Sequence, residues 1–196
     1  MSISTKSQGP VENRLLAALP DEVLARLLPH LQPASFALGG VVYESSERME
    51  RLYFPTTCIV SLLYTMTDGA TAEMGLVGND GIVGIALFMG GNTVPNRAVA
   101  RVAGDAFSVP APVLLEEFRR GGPCQLLLLR YTQALITQIS QTAVCNRLHS
   151  VEQRLCRWLL LSHDRVKSDE LLMTQELISN MLGMRREGVT VAAARL

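Results

Sequence analysis

No stretch of about eighteen apolar residues occurs anywhere in this 196-residue chain, so no segment of it reads as a membrane-spanning helix. Residues 1–10 hold one lysine and no apolar core, which excludes a secretory signal there and makes the cytoplasm the expected compartment. Charge is scarce, at 18% of residues, while 48% are hydrophobic, and that balance excludes an intrinsically disordered chain. Cysteine is scarce too. Cys58, Cys124, Cys145 and Cys156 stand alone, without a Cys-x-x-Cys pair or a histidine at ligand spacing, so neither a disulfide framework nor a metal site is expected, and buried thiols are.

Catalytic patterns are likewise lacking. The three histidines, His30, His149 and His163, fall in helix-like segments with no serine or cysteine nucleophile at recognisable spacing. Gly75, Gly78, Gly81 and Gly84 are not followed by Gly-Lys-Ser/Thr and do not form Gly-x-Gly-x-x-Gly, so they read as tight turns between strands rather than a nucleotide loop. Nothing in the sequence points to an enzyme.

What is present is an uneven distribution of charge. The 18 basic and 18 acidic side chains cancel overall, but residues 1–120 carry nine and twelve of them, and residues 121–196 carry nine and six. An anionic partner is therefore expected at the carboxy-terminal part.

Hydrophobic patterning divides the chain into three. Residues 11–31 repeat leucine and valine at helical spacing, interrupted at Pro20-Asp21, which predicts two short helices. Between Phe36 and Val109 short β-rich runs alternate with turns: Val41-Val42-Tyr43, Leu52-Tyr53-Phe54, the run from Ile59 through Tyr64, the run from Glu73 through Val77, and the run from Ala98 through Val102. Many short strands at this spacing predict an antiparallel sandwich or roll. A short helix after Pro112 closes at Gly121-Gly122.

A long helix is expected next, and its composition is unusual: between residues 123 and 146 the only formal charge is Arg130. Leu128, Thr132, Leu135, Ile139, Thr142 and Asn146 follow near-heptad spacing, while Leu127, Leu129, Tyr131, Ala134, Ile136 and Ala143 extend the apolar arc to a second side. A helix buried against its own sheet on one side and against a second copy on the other explains this, with the first set assigned to the dimer seam. Gln125, Arg130, Gln133, Gln138, Ser140 and Gln141 make membrane insertion costly.

Ser150-Val151-Glu152-Gln153 is a capping-box signature that opens another helix, expected to end near Asp164. A helix from Thr174 stops at Gly183, and helical spacing resumes from Met184, with Val189 and Ala193 expected to face the core. Helix, glycine turn and helix form a helix–turn–helix skeleton. Arg185-Arg186-Glu187 at the start of the second helix suits base readout, since arginine can donate twice to guanine and glutamate can accept from cytosine.

The order of elements, with the stretches Val151-Glu152-Gln153-Arg154-Leu155-Cys156-Arg157-Trp158-Leu159 and Thr174 through Val189, resembles the Crp/Fnr family of bacterial transcription regulators. The resemblance implies an α+β chain: an antiparallel β-roll of cyclic-nucleotide-binding type over residues 10–122, a long dimerisation helix over 123–149, and a helix–turn–helix DNA-binding domain over 150–196. It implies base contacts at Arg186 and Glu187, an adjacent Arg185, and phosphate contacts near Thr174 and Gln175. A further family arginine corresponds to Val191. Duplex DNA, a second copy of the chain, RNA polymerase and a small-molecule effector are the implied partners.

Departures lie in the sensor half. The family's phosphate cassette corresponds to Gly84-Ile85 and Asn96-Arg97-Ala98, with Ser140 as part of an adenine contact. Ile85 stands where cyclic-AMP binders have a glutamate for the ribose, so cyclic AMP is not the expected effector. The cysteine cluster of iron–sulfur members is missing, and the cofactor is left open. The family's β-hairpin wing would lie past Leu196, so the domain reads as truncated before its wing. The other reading the sequence allows is a ligand-sensing or interaction module whose DNA-binding half does not work.

Overall fold

The computed structural model describes residues 9–67, 69, 71–166, 178, 179 and 186–194. Two short helices, Arg14–Ala17 (α1) and Asp21–Leu27 (α2), precede seven strands: Gln32–Phe36 (β1), Val41–Tyr43 (β2), Arg51–Pro55 (β3), Ile59–Thr65 (β4), Thr71–Val77 (β5), Arg97–Val102 (β6) and Gly104–Pro110 (β7). Ala111–Arg119 (α3), Gly122–Leu148 (α4), Val151–His163 (α5) and Arg186–Ala193 (α6) follow. The strands form two antiparallel sheets, ordered β1-β7-β3 and β2-β6-β4-β5, which face each other as a roll. The α+β class and the roll expected from the strand spacing are both present.

β1 and β7 escaped the sequence reading, and both pair with each other from Gln32 opposite Ser108 to Phe36 opposite Gly104. β1 has no β-branched residue, and β7 has a single one, Val109, so neither shows the composition of a strand. Partners rather than propensity make them strands.

The four-stranded sheet has two differently used faces. Val60, Leu62, Val77 and Ala98 point into the roll, joined by Leu135 of α4. Leu63 and Val99 point outward and are covered by Leu155 and Trp158 of α5. The first core holds α1 and α2 against α3 and the start of α4 through Leu16, Leu27, Leu52, Leu114, Cys124 and Leu128. Asn13 ties this layer together: its Oδ1 caps α1 by accepting from Leu15 and Leu16, and its Nδ2 donates to the carbonyls of Pro55 (2.8 Å) and Gly81 (2.9 Å).

Two glycines of the 78–81 turn are explained by close approach. A Cβ on Gly78 would meet the Arg165 side chain at 2.8 Å, and one on Gly81 would collide with the Tyr131 ring and hydroxyl. The turn is the seat of α4 and of the end of α5, not a phosphate loop.

Cys58, Cys124 and Cys145 are buried and Cys156 is partly exposed. Burial pushes the Cys58 thiol up to about 12 and the Cys124 thiol up to about 11, so neither forms a thiolate near neutrality. A thiol reagent applied at pH 8 is expected to label Cys156 in the native protein and the three buried cysteines only after unfolding. Mass spectrometry of labelled peptides checks this, and fast labelling of Cys58 would contradict it.

Candidate functional site

α5 opens with the capping box read from the sequence: Gln153 N–H donates to Ser150 Oγ (3.4 Å) and Ser150 N–H to Gln153 Oε1 (2.9 Å). That cap sets the direction in which Leu155 and Trp158 meet the outer sheet face. Beneath them lies a buried polar cluster that sequence reasoning missed. Glu73 of β5 receives Arg101 Nη1 at 3.2 and 3.1 Å, Trp158 Nε1 at 3.1 Å and Ser61 Oγ at 2.5 Å. Arg101, fully buried, also donates to Ser162 of α5, and its guanidinium lies 4.0 Å from the Trp158 ring centroid. Burial raises the Glu73 carboxyl above its usual range, and Arg101, Ser61 and Trp158 pull it back. The only hint in the sequence is an acid within one strand-like run and a base within another, which does not show that they meet.

A second link runs alongside. Arg165, just past α5, forms a two-pronged pair with Asp80 (Nη2–Oδ2 2.8 Å, Nε–Oδ1 3.2 Å). Arg157 of α5 also donates to Thr142 of α4 at 3.3 Å. α5 is thereby held by both the roll and the long helix.

Of the residues expected at DNA, Thr174, Gln175 and Arg185 lie outside the described residues. Arg186 and Glu187 are the first two described residues of α6, with only their backbone described. The core contact of α6 needs a correction: Ala192, 1% exposed, packs with Leu155 and Trp158, whereas Ala193 is exposed, and the side chain of Val189 is not among those described. Val191, which corresponds to the family arginine, is 52% exposed.

The two faces of α4 also need reassigning. Leu128, Thr132 and Leu135 are buried within the single chain, and Ile139 packs on the inner core of the roll. Thr132 tolerates burial because its hydroxyl donates to the Leu128 carbonyl at 2.9 Å. Gln138 caps the edge of β5, accepting from Leu76 N–H at 2.7 Å and donating to Leu76 O at 3.3 Å. Thr142 is engaged by Arg157, and Asn146 is exposed beside α5. The seam expected to meet a second copy is therefore mostly the seam against the chain's own roll. The opposite side leaves Leu126 (50%), Leu129 (48%), Ile136 (46%) and Val144 (49%) exposed. Leu126, Leu129, Gln133, Ile136, Ser140 and Ala143 follow an unbroken 3-4-3-4-3 spacing on that side.

Between the roll and α4 lies a cavity of about 200 Å³. Of the residues assigned to an effector pocket from the sequence, Gly84, in a left-handed conformation (φ 103°), Ile85 and Asn96 form part of its wall. Arg97, Ala98 and Ser140 do not. Arg97 turns to Glu44 (3.0 Å), with its buried Nε unpartnered, Ala98 is packed in the core of the roll, and Ser140 is exposed. Ser140 lies on the far side of α4 from the cavity, one residue past Ile139, which does line it.

Residues 153–196 match the family model of the Crp-like helix-turn-helix domain. No curated protein matches the sequence. Among solved structures, FixK2 from Bradyrhizobium japonicum superposes with a TM-score of 0.74 at 18% identity, covering 85% of this chain and 84% of its own. The c-di-GMP-responsive global regulator CLP from Xanthomonas campestris gives 0.69 at 17% identity, covering 90% and 91%. A transcriptional regulator of the CRP family from Thermus thermophilus gives 0.68 at 16%, covering 83% of each. The fold is thus that of Crp/Fnr regulators, and the carboxy-terminal segment is a Crp-like helix–turn–helix domain. Among the described residues no helix is long and apolar enough to cross a membrane.

Proposed function

We propose that this chain is a homodimeric transcription regulator that acts on duplex DNA in the cytoplasm and is controlled by a small molecule held in its roll. The observation that carries this reading is the pairing of a Crp-like helix–turn–helix at 153–196 with a 27-residue helix, α4, that has one apolar face seated on the roll and a second left bare. Two copies joined along the bare faces would present two recognition helices to two half-sites of an operator. The effector reading is supported by the cavity, whose wall includes Leu135 and Ile139 of α4. A ligand there touches the helix that would join the protomers. Cyclic AMP fits poorly, because Ile85 offers no acceptor to a ribose hydroxyl and Arg97 is paired with Glu44 outside the wall.

Within the helix–turn–helix, Arg186 and Glu187 are proposed as base readers, with Arg185, Thr174 and Gln175 at the phosphates. Arg186→Ala is expected to cost about 1–3 kcal/mol on a selected operator and to relax base preference there, while Arg185→Ala weakens all sequences alike. Gel shifts on selected and scrambled duplexes across a salt series test both. A steep fall of affinity with salt is the expected result for a DNA binder. Absence of binding to any duplex would favour the sensing or interaction module. RNA polymerase is the further partner that a transcription regulator of this kind would meet on DNA.

A further inference from the structure

The wall of the roll cavity says what kind of molecule it accepts. Among the described residues, none that lines it carries a charge; Leu62, Met74, Val83, Ile85, Leu135 and Ile139 supply aliphatic surface, and polar side chains enter only at Tyr43 and Asn96. At about 200 Å³ it is larger than the roughly 150 Å³ apolar cavity that holds benzene, and below the roughly 300–1,000 Å³ typical of drug-sized ligands. The two polar residues are already oriented: Asn96 Nδ2 donates to the Tyr43 hydroxyl at 2.8 Å. That bond occupies an acceptor position on the phenol and leaves its own O–H to donate. Burial raises the Tyr43 pKa, so the hydroxyl stays protonated and remains a donor. The methionines add adaptability of shape.

We infer that the cavity binds a small, uncharged, largely apolar molecule of about the size of a monosubstituted benzene, carrying one hydrogen-bond acceptor that receives the Tyr43 O–H. This rests on the reading of the roll as the effector site and adds the chemical class of the effector. An anion is disfavoured at this wall, since its charge would be buried among aliphatic groups with no cation among the lining residues. A fully apolar molecule is accepted less well than one with an acceptor, because it leaves the Tyr43 hydroxyl unpaired on one side.

Calorimetry of the full chain with four probes tests this: acetophenone, its near-isostere ethylbenzene, the anion benzoate, and cyclic AMP. Acetophenone is expected to bind in the submillimolar range, with benzoate and cyclic AMP at least about tenfold weaker. Tyr43→Phe is expected to weaken acetophenone by about tenfold and leave ethylbenzene unchanged. Ile85→Phe, which fills the cavity from its wall, is expected to abolish binding of both while the thermal unfolding transition persists. The inference is overturned if benzoate or cyclic AMP binds more tightly than acetophenone, if acetophenone fails to bind up to its solubility, or if Ile85→Phe leaves its binding intact. Operator affinity measured with and without acetophenone separates the two readings. Binding of acetophenone with no change in DNA affinity upholds the ligand class and refutes effector control.

Discussion

Replacing Glu73 by leucine is expected to destabilise the protein by about 3–5 kcal/mol, because it strands the fully buried Arg101 guanidinium without its counter-charge. The loss should exceed that of an ordinary core substitution of similar size, since Trp158 Nε1 and Ser61 Oγ lose their acceptor at the same time. Replacing both charges, Glu73→Leu with Arg101→Met, should recover most of the stability, as buried pairs exchanged for apolar groups commonly do. Urea unfolding of the two variants and the parent measures this, and a double variant no more stable than the single one would refute it. The effect should reach the helix–turn–helix segment. Trp158 and Ser162 belong to α5, which the matched domain includes from residue 153, so the cluster pins the start of that domain to the roll. Hydrogen exchange in α5 is expected to rise first in Glu73→Leu.

The second large effect is expected at Ile136. Ile136→Asp places a carboxylate in the middle of the bare stripe of α4, where two copies would meet, and should raise the dimer dissociation constant at least a hundredfold, on the order of 3 kcal/mol. Because Ile136 is 46% exposed in the single chain, the fold should survive the change. Ile139→Asp is the informative contrast: three positions along, it faces the roll cavity, so it should lower thermal stability first. Sedimentation at micromolar concentration with parallel thermal melts distinguishes the two. A parent chain that sediments as a monomer would refute the dimer.

Both results turn on the same limit of sequence reading. Periodicity along residues 123–146 shows that α4 has two apolar sides, because charge is nearly absent and leucine and isoleucine recur at helical spacing. It does not say which side meets the roll. Leu128, Leu135 and Ile139 make as good a heptad as Leu129, Ile136 and Ala143, and what separates them is Gln138 bonding the β5 edge and Gly75 allowing α4 to approach. The cassette shows the same limit. Gly84, Ile85 and Asn96 line the cavity, while Arg97, the first residue of β6, is turned away to Glu44.

Composition, turn spacing and capping by themselves determined the roll, the long helix, the start of α5 and the helix–turn–helix motif, because each is written in local periodicity or in residues within a few positions of one another. The Glu73–Arg101–Trp158 cluster, the strands β1 and β7, the bare face of α4 and the cavity wall were decided only in tertiary structure. Their residues are far apart in sequence, as Glu73 and Trp158 are by 85 positions. Burial of a charge or exposure of a leucine depends on what the rest of the chain brings against it.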